Sequence, residues 1–284
     1  MPLDQEPPEE KEMSFLDHLE ELRWHVVRSG IAIATFMILA FAYTKEIFDK
    51  IIFAPAKVDF PTFRWLCKLS EITGAKDLCV QSIPFKIQSR YMTGQFTMQF
   101  ISAFVIGLIV AFPYVFWEVW RFVKPGLRNT ERKFSRGAVF FVSFLFLTGI
   151  LFGYYILSPM SIWFFSTYSI SDVIVNEFDI TSYIQTILTL VFGSGILFQL
   201  PMVVYFLTKI GIVTPQFMRT YRKHAIIVIM IVAALITPPD ILSLTMIAIP
   251  LYFLYEISIF ISAAVMRNKA KEEAEEEKRE TSAT

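Results

Sequence analysis

Residues 91–117 read YMTGQFTMQFISAFVIGLIVAFPYVFW and contain no Asp, Glu, Lys or Arg. A charged side chain at the centre of a bilayer costs about 2.5–3.5 kcal/mol on insertion scales, and about 20 apolar residues span the hydrocarbon core. This stretch is therefore long enough and apolar enough to cross a membrane. The alternative, a large soluble helical bundle, has no need to segregate charge in this way, because its helices keep one polar face.

Five further stretches share this lack of charge, and all 26 Lys and Arg residues lie outside the six. The further stretches are Ser29–Thr44, Gly137–Ser171, Ile180–Thr208, His224–Pro239 and Ile241–Tyr255, the last continuing past Glu256 to Met266. We therefore predict an all-α membrane protein with six transmembrane helices, of which the fifth and sixth are short. The predicted spans are about 24–44, 95–117, 137–158, 183–207, 224–237 and 241–265.

Positive charge sorts the connecting segments into two groups. Segment 118–136 carries six Lys or Arg residues, segment 208–223 carries four and the tail after Val265 carries five, whereas segments 159–179 and 238–243 carry none. By the positive-inside rule we expect both termini in the cytoplasm. The predicted parts are a cytoplasmic region (1–23) with an interfacial amphipathic helix, a six-helix transmembrane domain (24–266) and a charged cytoplasmic tail (267–284).

Segment 45–90 holds both cysteines, Cys67 and Cys79, and the same topology puts it outside the cytoplasm. An oxidising exterior permits a disulfide between them, and two reduced, packed thiols are the alternative. No Cys/His set has the spacing of a metal site, and neither a phosphate-binding loop nor a dinucleotide fingerprint is present. We therefore expect a protein that is not an enzyme, with no cofactor, no metal and no nucleic-acid partner.

Two acidic features stand out on the predicted cytoplasmic side. Ser14 and Asp17 form a helix-start pattern, and the helix that follows has an acidic face with Glu20 and Glu21. A simple membrane-surface anchor is one interpretation, but inner-leaflet lipids are anionic and would favour a basic helix. The acidic face therefore indicates a cationic partner.

The second feature is Glu131, which lies among six basic residues in segment 118–136. One explanation is local, since Thr130 could cap a helix and Glu131 in its first turn would favour the helix dipole. That role does not exclude another. Two carboxylates on one cytoplasmic surface could each take a guanidinium in a bidentate pair, and the partner would then carry two adjacent arginines.

Several separated motifs run in order along the chain. They are His18-Leu19-Glu20-Glu21-Leu22-Arg23, Phe112-Pro113, Phe122-Val123-Lys124-Pro125-Gly126-Leu127 with Glu131-Arg132, Phe198-Gln199-Leu200-Pro201 and Thr237-Pro238-Pro239-Asp240. Together they resemble TatC, the core subunit of the twin-arginine protein translocase, over almost the whole chain, from about Ser14 to Val265, and in the six-span layout.

The resemblance implies a receptor for the Arg-Arg pair of signal peptides on folded cargo, in the inner membrane of a prokaryote. It also implies a multimeric complex with other copies of the chain and with TatA- and TatB-type single-span subunits in the lipid, driven by the proton gradient. Glu21 and Glu131 match the family's signal-binding carboxylates. The neighbouring motif positions are His18, Leu22, Arg23, Phe122, Pro125, Leu127 and Arg132.

The fifth apolar stretch is short, with only twelve apolar residues at 225–236 before Pro238, Pro239 and Asp240. At 1.5 Å per residue it covers about 18 Å, against about 30 Å for a bilayer core. The hairpin of spans five and six should therefore leave a thinned or water-filled region, as in the concave scaffold that the family is thought to form. A tilted span with a snorkelling Lys223 is the alternative.

Two intramembrane polar residues complete the set of candidates. Glu256 is the only acidic residue within any predicted span, and an intramembrane carboxylate is a functional candidate by default. Gln199 stands where the family usually has Glu and cannot carry a proton; it is a candidate for contact with a partner subunit or for simple interhelical hydrogen bonding. A proton-coupled small-solute carrier with a midplane site at Glu256 and Gln199, and an assembly scaffold without cargo, remain as alternative functions.

Overall fold

The computed structural model describes residues 15–75, 79–123, 135–171, 173–237 and 241–283. The described helices are α1 Phe15–Ala42, α2 Thr44–Ile47, α3 Pro61–Thr73, α4 Gly94–Val123, α5 Ser135–Phe152, α6 Ser158–Thr167, α7 Ile180–Leu197, α8 Leu200–Ile210, α9 Pro215–Thr220, α10 Arg222–Ile236 and α11 Ile241–Ala283. Two π turns (Phe48–Ile52 and Gly153–Leu157), one 3-10 turn (Ala54–Ala56) and two short strands, β1 (Lys86–Gln88) and β2 (Glu177–Asp179), complete the described elements.

Within the described ranges, five helical stretches are long and apolar enough to cross a membrane, judged by length and composition. They are Glu20–Ala42, Gly94–Val123, Val139–Thr167, Ile180–Ile210 and Ser243–Lys271. The predicted all-helical class is confirmed. Helix α10 has 15 residues and is about 22 Å long, so it is short for a bilayer core, as the sequence predicted. The count of six spans stays a prediction.

The long helices run in alternating directions, which gives the bundle two ends. We name them the basic end and the cap end after the segments that each carries. At the basic end, the start of α1 meets the end of α4 through His25 and Glu118, and Thr208 of α8 bonds Ser262 of α11. At the cap end, the hydroxyl oxygen of Ser161 in α6 lies 2.5 Å from the hydroxyl oxygen of Ser243 in α11. The basic end carries the Lys- and Arg-rich segments, and the cap end carries the elements between α1 and α4.

Three helices run further than the sequence indicated. Helix α1 is continuous from Phe15 to Ala42, so the expected turn between an interfacial helix and the first span is absent; no proline interrupts this range. Helix α4 continues past Trp117 to Val123. Helix α11 runs from Ile241 to Ala283 and contains the 29-residue candidate span Ser243–Lys271, so it is longer than the short sixth helix predicted, and the boundary at 266 stays a prediction. Its tail is rich in Ala, Glu and Lys, which are strong helix formers, and has no Gly or Pro to end the helix.

Glycines let the long helices approach closely. A Cβ atom on Gly107 of α4 would lie 2.7 Å from the backbone nitrogen of Met37 in α1. A Cβ on Gly149 of α5 would lie 2.6 Å from the carbonyl oxygen of Ser194 in α7, whose hydroxyl donates to the Gly149 carbonyl at 2.7 Å. These contacts fix α1 against α4 and α5 against α7 at backbone distance, so the side chains at the helix ends have defined neighbours.

The cap end is held by several hydrogen bonds between distant parts of the chain. Strands β1 and β2 pair in parallel, and the Asp179 carboxylate accepts from the backbone nitrogens of Arg90 and Thr181, both at 2.9 Å. Asp179 thereby caps α7. The Thr181 hydroxyl and the Arg90 amide hold the pKa of the Asp179 carboxyl below its usual range. The Tyr183 hydroxyl of α7 donates to the carbonyl of Ile52 at 3.0 Å, which ties the first outer turns to the bundle.

A disulfide joins Cys67 of α3 to Cys79, and the segment around it is divided into short elements. Helix α3 ends at Gly74, which adopts φ 74°, a conformation that favours glycine. The disulfide therefore closes a loop of about a dozen residues around this helix end.

We expect the Cys67→Ser/Cys79→Ser variant to lose about 3 kcal/mol of stability in the segment around α3, because the open chain gains conformational entropy. The measurement is the rate of tryptic cleavage at the exposed Arg64 and Lys68, compared between the variant and the oxidised parent. Reduced and alkylated parent is the matched control and should be cleaved as fast as the variant. Equal cleavage of the variant and the oxidised parent would show that the disulfide contributes no stability.

Candidate functional site

The candidate site lies at the basic end, where α1 begins and α4 ends. Glu20 and Arg23 are exposed, and the Glu21 side chain is 39% exposed. The predicted site residues Glu21, Leu22 and Arg23 thus have side chains that solvent or a ligand can reach. Arg23 also lies over the Trp24 ring, with its guanidinium carbon 5.6 Å from the ring centroid. The helix lies along α4, so its acidic groups are held beside the last turns of that helix.

Two ionisable side chains are buried between these helices. Glu118 of α4 is 1% exposed and His25 of α1 is 6% exposed, and His25 Nδ1 lies 2.5 Å from Glu118 Oε2. An ionised carboxylate can only accept, so Nδ1 donates to it. A carboxylate without such partners would be costly to bury, and this pair therefore joins α1 to α4 at a defined register.

Further contacts surround the pair. The Tyr114 hydroxyl donates to Glu118 Oε1 at 2.9 Å, and Arg121 Nη1 lies 3.8 Å from the same oxygen. On the other side of the imidazole, His25 Nε2 lies 3.9 Å from Glu21 Oε1, one helical turn earlier. Both ring nitrogens of His25 therefore face carboxylates, one of them buried and the other half-exposed.

Phe122 is the predicted α4 residue that the structure brings to this cluster. Its ring centroid lies 6.2 Å from that of His25, in an edge-on arrangement. The structure therefore brings together Glu21 and Phe122 through His25. Other predicted residues lie outside the described residues, namely Pro125, Leu127, Glu131 and Arg132, together with Pro238, Pro239 and Asp240 of the α10–α11 hairpin. The backbone of His18 belongs to α1, but its side chain lies outside the description.

The intramembrane candidates have separate partners. Glu256 of α11 receives a hydrogen bond from Arg222 Nη2 of α10 at 2.8 Å, and the Tyr252 hydroxyl lies 3.3 Å from its other oxygen. Gln199 sits in the break between α7 and α8, where Pro201 interrupts the helix, and its Nε2 donates to the Val142 carbonyl of α5 at 3.1 Å. In the described residues, no hydrogen bond joins Glu256 to Gln199, so each serves first as a link between helices.

The sequence reading missed His25 and Glu118. The predicted second span ends at Trp117, which leaves Glu118 in a connecting segment and Glu256 as the only acidic residue within a predicted span, whereas α4 includes Glu118. Two signals were available. His25 follows Glu21 by four residues, which puts both on one face of α1, and Glu118 stands alone between Trp117 and Trp120 in an otherwise apolar turn.

Comparisons with known proteins agree on one family. The family model described as Sec-independent protein translocase protein (TatC) matches residues 17–250. The chain belongs to the TatC family. A TatC protein of Blattabacterium sp. subsp. Periplaneta americana is 43% identical over 263 residues, which are 92% of this chain and 99% of that protein. A TatCy protein of Bacillus subtilis is 36% identical over 264 residues, which are 93% of this chain and 94% of that protein.

Solved structures of the TatC family have the same fold. A crystal structure described as the twin-arginine translocase receptor TatC superposes with a TM-score of 0.65 at 27% identity, covering 88% of this chain and 99% of that one. A second TatC crystal structure, described as being in DDM, gives a TM-score of 0.69 at 28% identity and covers 86% and 99% of the two chains. The chain is therefore a subunit of a Sec-independent protein translocase and a non-enzymatic membrane protein, and the small-solute carrier is not favoured.

Proposed function

We propose that this chain is the receptor for twin-arginine signal peptides in its translocase, and that it scaffolds the movement of folded proteins across the cytoplasmic membrane. The observation that carries the proposal is the half-exposed Glu21 carboxylate at the start of α1, on a chain of the TatC family. One crystallised relative is described as a twin-arginine translocase receptor. A guanidinium and a carboxylate can form two parallel hydrogen bonds, so an exposed acid suits this ligand.

Glu131 is the second carboxylate of the proposed site, supported by its place among six basic residues of the same connecting segment. Its carboxylate is the proposed acceptor of the second guanidinium. Arg23, Leu22, His18, Phe122, Pro125, Leu127 and Arg132 would contact the rest of the signal peptide. Lysine carries the same charge but lacks the planar fork, so the proposed site prefers Arg-Arg to Lys-Lys.

The proposed topology has six spans with both termini in the cytoplasm. It is supported by the sorting of Lys and Arg residues and by the alternating helix directions. Helix α10 is the short fifth span, so the bilayer beside it would be thinned on a concave surface. At the cap end, α6, α7, β2 and Ile236 of α10 line an open cavity of about 500 Å³. The proposed topology, with both termini in the cytoplasm, would expose the twin-arginine site to cytoplasmic cargo.

The proposed partners are TatA- and TatB-type single-span subunits and further copies of this chain, with the proton-motive force as the energy source. In this proposal, the opening for a folded protein is assembled only when other subunits gather. Gln199, in the break between α7 and α8, and Glu256, on α11, are candidates for contact with these subunits. Gln199 Oε1 is buried and has no hydrogen-bond partner among the described residues.

The test is export of a folded fluorescent reporter behind a twin-arginine signal peptide. The host lacks its own TatC and expresses this chain with its matching small subunits. We expect export that stops when an uncoupler collapses the proton gradient and that fails for the same reporter behind a Lys-Lys signal. Export of the Lys-Lys reporter at the same rate would overturn the receptor role. Export that persists under the uncoupler would contradict only the proposed use of the proton-motive force and would leave the receptor role intact.

A further inference from the structure

The side chain of His25 connects the proposed arginine-binding carboxylate with the protein interior. Its Nδ1 is held by the buried Glu118 at 2.5 Å, and its Nε2 lies 3.9 Å from Glu21 Oε1. Glu118 cannot itself meet an incoming arginine, because it is 1% exposed. Glu21, in contrast, is open to a ligand, so the two carboxylates on either side of this one ring have different surroundings.

The imidazole has little freedom to turn. The bond to Glu118 fixes one edge of the ring, and the Phe122 ring lies edge-on to it with the centroids 6.2 Å apart. Glu118 is in turn fixed by the Tyr114 hydroxyl at 2.9 Å. The position of Nε2 beside Glu21 is therefore set by the packing of α1 on α4. A free glutamate side chain samples several rotamers, and ordering it on binding costs affinity.

We propose that His25 is a positioning residue of the twin-arginine site: carrying a proton on each ring nitrogen, it donates from Nδ1 to Glu118 and, by charge attraction across 3.9 Å rather than by a hydrogen bond, holds Glu21 beside Nε2 in the orientation that receives a guanidinium. This inference rests on the proposed receptor function. His25 does not touch the signal peptide and acts only through Glu21. Glu118 serves as the anchor of the imidazole and is a structural residue of the fold.

Two substitutions distinguish the roles of the two ring nitrogens of His25. The amide nitrogen of asparagine reaches the place of Nδ1, and that of glutamine reaches the place of Nε2. His25→Asn therefore keeps the donor to Glu118 and removes the group beside Glu21. His25→Gln keeps a donor near Glu21 and removes the one to Glu118. A structural role and a positioning role of His25 thus predict different outcomes for the two variants.

The experiment measures the Kd of a labelled Ser-Arg-Arg-x-Phe-Leu-Lys peptide for the full chain in detergent, with binding normalised to folded protein, and the Tm of each variant. We expect His25→Asn to keep a Tm close to the parent's and to bind about five-fold more weakly, the size of effect that a partly exposed ion pair produces. We expect His25→Gln to have the lower Tm of the two and, below that Tm, the stronger binding.

A double-variant cycle tests whether His25 acts through Glu21. In a Glu21→Gln background, adding His25→Asn should leave the Kd unchanged, because the oriented carboxylate is already gone. A further five-fold loss in that background would overturn the positioning role, and so would a His25→Asn protein that binds like the parent. If the parent does not prefer Arg-Arg to Lys-Lys, the receptor function fails and the inference fails with it. If the parent is selective and Glu21→Gln weakens binding, an unaffected His25→Asn overturns the inference alone.

Discussion

Cells that depend on a chain carrying both Glu21→Gln and Glu131→Gln should export no twin-arginine reporter. Glutamine keeps the shape of each side chain and removes its charge, so each arginine loses a charge-assisted pair. Such a pair contributes about 1.5–3 kcal/mol, and two together correspond to a loss of affinity of about 100-fold or more. Each single variant should retain part of the parent's export, because one of the two pairs remains.

The matched control for this variant is Glu20→Gln. Glu20 is exposed and precedes Glu21 directly on α1, so the control removes the same charge from the same helical turn. We expect Glu20→Gln to export at close to the parent rate, with all variants present at equal amounts in the membrane. Export by the double glutamine variant would mean that neither carboxylate is needed. An equal loss in the control would mean that negative charge is important in general but Glu21 and Glu131 are not a specific site.

The second large effect is on stability. We expect Glu118→Ala to lower the free energy of unfolding by about 3–5 kcal/mol, because it leaves His25 buried without the acceptor of its Nδ1 proton. Replacing both members, as in His25→Phe/Glu118→Leu, should recover most of this loss, since a buried ion pair can be exchanged for apolar groups of similar volume at little cost. The measurement is chemical unfolding of the purified variants in detergent.

Glu256→Ala provides the comparison for an ion pair that is not buried. Glu256 pairs with Arg222, whose side chain is 46% exposed, so Glu256→Ala leaves no charge buried and unpaired inside the protein and should cost much less than Glu118→Ala, about 1 kcal/mol or less. Two results would contradict the account of Glu118. One is a Glu118→Ala protein as stable as Glu256→Ala, and the other is a double variant no more stable than Glu118→Ala alone.

The segregation of charged residues was the most reliable basis for predicting the apolar helices from the sequence. Long uncharged runs predicted the apolar helices, because one charge in a bilayer core outweighs local preferences. The short α10 was also predictable, since Arg222 precedes the run and Pro238 follows it. The same rule misplaced the end of α4. It treats any charged residue as the end of a span, whereas Glu118 stays in the helix because a distant histidine satisfies it.

Local sequence patterns cannot predict contacts between residues that are far apart in the chain. His25 and Glu118 are 93 residues apart, and only the packing of α1 on α4 brings them together. The continuous α11, in contrast, could have been predicted from helix propensity, because nothing in 267–283 breaks a helix. Family resemblance named Glu21 and Phe122 but not the histidine between them. The residues of the proposed site are thus easier to predict from the sequence than the buried side chains that pack behind them.

The most direct test of the receptor function is the affinity of the detergent-solubilised chain for a labelled Ser-Arg-Arg-x-Phe-Leu-Lys peptide, measured beside the same peptide with Lys-Lys. The account predicts saturable binding that is at least about ten-fold tighter for Arg-Arg, a difference of about 1.4 kcal/mol, and that is lost in the Glu21→Gln/Glu131→Gln variant. Equal affinity for the two peptides, or unchanged binding by that variant, would contradict it.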